Sequence, residues 1–284
     1  SFPDGHIVEE GLRQLDSLAK GNQPFFLAIG LIKPHLPFGV PKRYLDLYEN
    51  KELAPIPYAV QPNGKTTWHG SNEFMSYDRW GKDPREDKAF AIELKKYYAA
   101  CVSYADKHVG EILEKLKKTG ADKNTIVVLW GDHGWHLGEH AIWGKHALFE
   151  ESLRSPLVIF DPEMDRRGEM SNSIVESVDV FPTLCDLVDI PIPDFADGLS
   201  LVPILKNPKA NGHEAVGFIK DATTIRTDRY RMVRHATGEI ELYDHQSVEK
   251  EQLNIANQNS EIVQLLEQKI MDKMGEDALM AKEH

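Results

Sequence analysis

The densest group of side chains suited to chemistry lies in residues 131–140, the string GDHGWHLGEH. Asp132 offers a hard carboxylate oxygen of the kind that calcium and magnesium bind. His133 offers a ring nitrogen that binds a metal ion or donates a hydrogen bond to an anionic oxygen. The string begins where the apolar run 126–130 ends, and in open α/β sheets ligands bind beyond the carboxyl ends of strands. Asp132 and His133 are therefore the first candidates for a metal site.

His136 and His140 raise a second interpretation, a zinc hydrolase in which both histidines bind the metal. Zinc proteases of this kind place two histidines four residues apart on one helix, with Glu directly after the first. Here Glu139 precedes the second histidine, and Gly134 and Gly138 make a continuous helix costly. The zinc interpretation is therefore disfavoured, and the ordinary alternative for these two histidines is a polar surface loop.

The elements around this string predict an α/β fold. Apolar runs at 25–31, 126–130 and 156–160 have the composition of strands covered on both faces. Helical patterns precede them at 5–20 and 86–118. Strands and helices in this order indicate a mainly parallel sheet sandwiched by helices.

The last quarter of the chain has a different pattern. Residues 48–85, rich in Pro, Gly and Asn, predict a long surface excursion. After residue 211, four short strand-like stretches are followed by an amphipathic helix around 261–274, which predicts a small antiparallel sheet with one helix. We therefore expect two domains, an α/β catalytic domain in residues 1–210 and an antiparallel-sheet subdomain with a terminal helix in residues 211–284.

Composition excludes two classes of partner. The net charge of −12 has no basic stripe to offset it, which argues against general nucleic-acid binding. No apolar run approaches the roughly 18 residues of a membrane span. Cys101 and Cys185 form no CxxC pair and predict two buried thiols, although a disulfide remains open. An anionic substrate would need a locally basic pocket.

Four longer stretches occur in a fixed order along the chain. They are LIKPHLPFGVPKRYLDLY, GDHGWHLGEHAIWGKHALFEESLRSPLVI, VESVDVFPTLCDLVDIPIPDFADGLSLVPIL, and IRTDRYRMVRH with ELYDHQSVEKEQLNIA. Together they resemble the type I sulfatases of the alkaline-phosphatase-like superfamily, nearest to the iduronate-2-sulfatase group. Because they span nearly the whole chain in family order, the resemblance is specific.

The resemblance implies a role for four residues. Asp132 and His133 match the divalent-metal side of the sulfatase site, usually calcium, with magnesium as the alternative. Lys145 and His35 match positions that contact the sulfate group or the ester oxygen, which makes them both catalytic and substrate-binding. Lysine is a compact cation suited to a sulfate oxygen, and histidine can protonate a leaving alkoxide near neutral pH.

The loop that carries His35 also has three basic neighbours. Lys33, Lys42 and Arg43 flank it and are candidates for a basic rim around an anionic substrate, although solvated surface charges are the ordinary alternative.

The sequence departs from the family at the nucleophile. Sulfatases use a formylglycine made from the first residue of a Cys/Ser-x-Pro-x-Arg motif, and neither Cys101 nor Cys185 stands in such a motif. All recognisable stretches match the later portion of the family. We therefore expect a fragment, with the formylglycine and the first metal-binding aspartates on a missing N-terminal segment, and a chain that is inactive alone.

The resemblance implies a sulfuric ester hydrolase acting on a sulfated sugar, such as a uronate within a glycosaminoglycan. Two alternatives stay open, a phosphodiester or phosphonate monoester hydrolase on the same fold and a non-catalytic binding chain. The family is commonly periplasmic, extracellular or lysosomal, but the sequence itself gives no compartment.

Overall fold

The computed structural model describes residues 2–62, 71, 73–165 and 168–275 of the chain. These residues belong to two compact units. The first comprises Ser1–Pro57, Glu73–Val127 and Phe160–Glu163, and the second comprises Tyr58–Asn72, Val128–Ile159 and Met164–His284. The boundary that the sequence predicts between residues 210 and 211 divides the chain differently and stays a prediction.

Helices dominate the first unit. They are α1 (Pro3–Leu18), α2 (Lys42–Asp46) and α3 (Lys88–Thr119), with short 3₁₀ helices at Phe74–Ser76 and Ala121–Lys123. The Asp87 side chain caps α3 by accepting from the Phe90 amide at 2.9 Å, and Gly120 ends the helix with φ +78°. The two long helical patterns of the sequence are confirmed within two residues at each end. Of the predicted excursion, residues 63–70 and 72 lie outside the described residues.

Residues 25–31 do not form the buried strand that their apolar character predicts. No hydrogen-bonded strand is assigned to this segment, and its side chains alternate between half-buried and exposed positions, with Phe26 82% exposed. One face meets α1, because a Cβ on Gly11 would lie 2.8 Å from Ile29 Cδ1. Extended backbone directs successive side chains to opposite faces, and burial of both faces requires a second covering element, which the described residues do not provide.

The chain continues through short strands and helices. They are β1 (Val127–Trp130), β2 (His136–Leu137), β3 (Trp143–Gly144), α4 (Glu150–Leu153), β4 (Leu157–Phe160), α5 (Val180–Leu187) and α6 (Val202–Lys206), with 3₁₀ turns at Glu139–Ala141 and Ser177–Asp179. Strand β1 pairs with β4, and β2 pairs antiparallel with β3. The strands predicted at 126–130 and 156–160 are thus confirmed.

The C-terminal sheet is antiparallel throughout. Its strands lie in the order β5 (Ala215–Ile219), β6 (Ala222–Arg226), β7 (Tyr230–His235) and β8 (Ile240–Asp244), and a 3₁₀ turn at Ala256–Gln258 leads to α7 (Ser260–Met274). Strands and helix share one apolar core, formed by Ile225, Met232, Leu242, Val263, Leu266 and Ile270. The predicted small antiparallel sheet with one helix is confirmed.

Two further sequence predictions can be read from the described residues. Cys101 and Cys185 are both buried free thiols, and burial raises the pKa of Cys101 to about 11. None of the helices in the described part of the chain combines the length and the apolar character needed to cross a membrane.

Candidate functional site

Asp132 and His133 occupy the loop that leaves β1. The Asp132 side chain is 79% exposed, and its Oδ2 lies 3.7 Å from His133 Nε2. His133 Nδ1 lies 2.6 Å from Gly134 O, a backbone carbonyl. A carbonyl only accepts, so Nδ1 carries the proton and Nε2 of the neutral ring keeps a lone pair. A carboxylate oxygen and a ring nitrogen therefore stand side by side, free to share one cation.

Backbone contacts fix the shape of this loop. The Gly131 amide donates to Pro156 O at 2.9 Å, and the Gly134 amide donates to Ser152 O at 2.7 Å. A Cβ on Gly134 would lie 2.0 Å from Glu151 O, so only glycine allows this approach. The residues around α4 thus hold the loop in place.

Lys145 returns to the same loop through the β2–β3 hairpin. The register pairs His136 with Gly144, so residue 145 comes back beside residue 135. Lys145 Nζ lies 5.8 Å from the centroid of the Trp135 ring, within the range of a cation–π contact. Trp135 was not among the predicted site residues, although its position two residues after His133 was a signal that could have singled it out.

His35 lies in the first unit, on the proline-rich loop after α1. Its side chain is 40% exposed, Nδ1 donates to Leu36 O at 2.8 Å, and Nε2 lies 3.7 Å from Glu73 Oε1. The buried carboxylate of Asp4 accepts from the amides of Ile32 and Lys33 at 2.9 and 3.0 Å. The start of the loop is therefore anchored to α1.

The three basic residues predicted to form a rim around this loop make local contacts, and the rim itself stays a prediction. Lys33 Nζ donates to the backbone carbonyls of His35 and Pro37 at 3.2 and 2.6 Å, because the loop folds around the amine. Lys42 pairs with Asp46 on α2, and the Arg43 guanidinium lies 5.1 Å from the Tyr44 ring centroid. Local carbonyl, carboxylate and aromatic groups thus engage all three cations.

Three of the four predicted residues belong to one continuous region. Asp132, His133 and Lys145 lie on the loop and hairpin of the second unit, whereas His35 belongs to the first. The convergence of His35 on the other three, and the roles assigned to all four, stay predictions.

His136 and His140 are buried, which contradicts the expectation of a polar surface loop. They are 0% and 1% exposed, and their ring centroids lie 5.7 Å apart. They also do not share a helix, since His136 lies on β2 and His140 has φ +56°. The zinc-protease arrangement is therefore absent. The wrong prediction arose because polarity alone does not reveal that Phe149 stacks on His140, with centroids 4.1 Å apart.

Glu151 faces both of these histidines, and sequence reasoning did not single it out. Its Oε2 lies 3.6 Å from His136 Nε2 and 3.6 Å from His140 Nδ1. Burial lowers the pKa of His136 to about 3 and, aided by the nearby Glu251, raises the pKa of Glu151 to about 7. The two glutamates that begin α4, in the string FEESLRSP, were the available signal.

A second buried cluster is built around Arg231. Its Nε lies 2.6 Å from Glu251 Oε1, and its Nη2 lies 2.7 Å from Glu150 Oε2. His245 Nε2 lies 3.0 Å from the same Glu251 oxygen. Burial alone would raise the pKa of Glu251, but Arg231 and His245 outweigh it and lower the pKa to about 2. This cluster ties α4 to the C-terminal sheet.

Family profiles match most of the chain. The sulfatase profile covers residues 3–190. The chain belongs to the sulfatase family. A second profile, the C-terminal part of N-sulphoglucosamine sulphohydrolase, covers residues 138–276. The family predicted from the four sequence stretches is thereby confirmed.

Relatives of this sulfatase-family chain are longer than it is. A sulfatase of Formosa agariphila is 31% identical over 264 residues, which are 90% of this chain and 50% of that protein. The iduronate 2-sulfatase of Mus musculus is 33% identical over 228 residues, which are 68% of this chain and 41% of that protein. The chain thus spans about half the length of the curated relatives it matches.

Solved structures share the fold. One, in complex with its substrate D-glucosamine-2-N,6-O-disulfate, has a TM-score of 0.80 at 21% identity and covers 100% of this chain and 72% of its own. The phosphonate monoester hydrolase of Silicibacter pomeroyi has a TM-score of 0.82 at 23% identity, and the match covers 97% of this chain and 61% of that one. The alkaline-phosphatase-like α/β fold with its C-terminal antiparallel sheet is confirmed, and at these identities the likeness concerns the fold alone.

Proposed function

We propose that this chain is part of a sulfuric ester hydrolase that acts on a sulfated sugar, with a sulfated uronate or glucosamine as the substrate class. The observation that carries the proposal is the Asp132–His133 loop, which presents an exposed carboxylate beside a ring nitrogen. Lys145 follows on the adjoining hairpin. Family membership and relatives named for sulfated sugars support the choice of sulfate over other anions.

Asp132 and His133 are the residues that would hold a divalent cation, calcium before magnesium. The Asp132 oxygen is a hard donor, and calcium needs six to eight oxygen ligands. One carboxylate meets only part of that need, so we infer that further aspartates come from an N-terminal segment outside this chain. Once bound, the cation supplies positive charge to the sulfate oxygens.

Lys145 and His35 would act on the substrate itself. The ammonium group of Lys145 can neutralise charge on a sulfate oxygen, where such a donor acts most in the transition state. His35 can pass a proton to the leaving sugar oxygen through Nε2, since its Nδ1 proton is held by the Leu36 carbonyl. The attacking group would be a formylglycine on the N-terminal segment, so this chain alone is expected to be inactive.

The first test restores the N-terminal segment and assays an aryl sulfate. Lys145→Ala should lower kcat/KM about 100-fold or more, whereas the control Lys118→Ala, which removes an exposed ion pair with Glu114 on α3, should leave it unchanged. Equal rates for Lys145→Ala and the unaltered enzyme would contradict the role of Lys145. Turnover by the present chain alone, unaffected by the added segment, would contradict the two-part proposal.

A series of leaving groups tests His35 separately. If His35 protonates the leaving oxygen, His35→Ala should slow sulfate esters of poorly acidic sugars far more than those of acidic phenols. A uniform loss across the series would assign His35 to binding instead. Matched phosphonate monoesters complete the comparison, since faster turnover of the phosphonates would favour the alternative hydrolase.

A further inference from the structure

We propose that His136, His140 and Glu151 bind one divalent transition-metal ion, with zinc as the expected metal. The three side chains come from β2, from the 3₁₀ turn Glu139–Ala141 and from α4. Each offers one ligand atom, and these atoms lie within 4.8 Å of one another. None of the three residues belongs to the proposed sulfate site.

Their spacing suits a shared ion better than direct hydrogen bonds. Both histidine nitrogens lie 3.6 Å from Glu151 Oε2, beyond the roughly 2.7–3.2 Å of a normal N–H···O bond. Ligands about 2.0–2.1 Å from a tetrahedral zinc lie roughly 3.3 Å from each other. The two histidine–Glu151 distances would therefore need to shorten by only a few tenths of an ångström, and the two histidine nitrogens lie within 4.8 Å of each other.

Two of the ligand atoms are buried and lack other partners. Among the described residues, His136 Nε2 and Glu151 Oε2 have no hydrogen-bond partner of normal geometry. Leaving such atoms buried costs about 1–3 kcal/mol each. The other nitrogen of His136 lies 2.9 Å from Ser152 Oγ, and a bond of this kind orients a metal-binding ring. The His136 ring is thus held with Nε2 directed at Glu151.

The two other clusters of this type among the described residues already contain a cation. Glu150, His245 and Glu251 surround Arg231, as described above. Glu176, Asp179 and His213 are joined by Lys273, and Asp179 accepts from His213 Nε2 at 2.8 Å. For Glu151, by contrast, the ion pairs within the described part of the chain involve only His136 and His140. A metal ion would supply the missing positive charge.

The donor set selects the metal. Two imidazoles and one carboxylate suit zinc, whereas calcium and magnesium prefer oxygen ligands alone. Three protein ligands leave one tetrahedral position for water. The ion would join the β2–β3 hairpin to α4. The same helix also contacts the Asp132 loop, where the Gly134 amide donates to Ser152 O at 2.7 Å. We assign the ion a structural role, to brace the segment that presents Asp132 and His133.

The test measures bound metal in the purified 284-residue chain. The chain is stripped with a chelator, incubated with Zn²⁺, desalted and analysed by mass spectrometry of the metal. We expect about one zinc per chain and a higher Tm with zinc than without. Glu151→Gln and His136→Ala should lower zinc affinity at least about 100-fold, and Ser152→Ala about 10-fold. The exposed His6→Ala and the sulfate-site variant Asp132→Asn should leave it unchanged.

Cobalt substitution separates loss of the ligand set from loss of the fold. Co²⁺ should give the intense visible absorption of a tetrahedral site in the unaltered chain and in His6→Ala, but not in Glu151→Gln. Because Glu151→Gln preserves shape, its circular dichroism should match the unaltered chain. Less than about 0.1 zinc per unaltered chain, or full zinc binding by a folded Glu151→Gln variant, would overturn the proposal. Sulfatase activity does not enter either readout.

Discussion

Glu150 and Glu151 are neighbours on α4, yet they belong to two buried clusters that shift the pKa of a carboxyl group in opposite directions. Burial tends to raise the pKa of both. For Glu150 the charges of Arg231 and Arg226 outweigh burial and lower the pKa. For Glu151 no cationic side chain of the described residues offsets burial, and the pKa rises to about 7. The Arg231 cluster thus has its cation built into the chain, and the His136–His140–Glu151 cluster does not.

This difference teaches that residue type and position along the chain do not determine whether a buried acid is protonated. What decides is whether the fold brings a guanidinium to it. Arg231 comes from β7, about 80 residues after Glu150. A cluster of acids and histidines without such a partner is either neutralised by protons or completed by a metal ion.

The largest expected effect is that of removing the built-in cation. Arg231→Met should lower the free energy of unfolding by about 3–5 kcal/mol, because Glu150 and Glu251 would lose their shared buried guanidinium and keep only Arg226 and His245 beside them. The control is Arg229→Met, whose guanidinium is half exposed and pairs with Asp244, and which should cost at most about 1 kcal/mol. Urea denaturation at pH 7 measures both. Equal losses in the two variants would show that the buried Arg231 pairs stabilise the fold no more than the exposed Arg229–Asp244 pair does.

The Arg231 cluster should also make the free energy of unfolding decrease at acid pH. The pKa of Glu251 is lowered to about 2 in the folded chain, against about 4.3 for an unfolded glutamate. Its contribution is therefore complete above pH 5 and is lost as the pH falls toward 2. Glu251→Gln should cost about 3 kcal/mol at pH 7, and its deficit should shrink steadily in denaturation curves taken from pH 5 down to pH 3. A deficit independent of pH would contradict the pairing.

Gly134→Ala should disrupt the contact between the Asp132 loop and α4. The added Cβ would lie 2.0 Å from Glu151 O, so backbone must move, at a cost of about 2 kcal/mol or more. Gly110→Ala on α3 is the matched control, because its Cβ would meet nothing within 4 Å. There alanine should stabilise the helix by up to about 1 kcal/mol. Thermal unfolding of both variants should therefore shift in opposite directions.

The smallest effect is expected at Glu151. In metal-free protein at pH 7, Glu151→Gln should change the unfolding free energy by no more than about 0.5 kcal/mol, because glutamine resembles the protonated acid. Glu150→Gln, which weakens the acceptor for Arg231, should cost several times more. Parallel urea titrations of the two variants measure the difference directly. A large loss from Glu151→Gln without metal would mean that the carboxylate is already paired.

Local patterns in the sequence determined much of this protein. The two long helices, the strands at 126–130 and 156–160, and the antiparallel sheet with its helix follow from periodicity, apolar runs and caps, which act within a few residues of each other. The ordered motifs likewise identified the family, and the resemblance they carry is the basis for predicting a metal site at Asp132 and His133. The local pattern gave a wrong prediction at residues 25–31. Whether such a run becomes a buried strand depends on which elements cover its two faces, and the segment itself does not reveal them.

Only the tertiary structure decided which of the polar residues are buried and what they meet. His136 and His140 carry the same chemistry as His133, three and seven residues earlier, but Phe149 and Glu151 enclose them. Lys33 Nζ donates to carbonyls of its own loop, a contact that the sequence did not predict. Burial and pairing are set by contacts between distant segments, and those contacts change the energy of a charged group by several kcal/mol without leaving a local trace in the sequence.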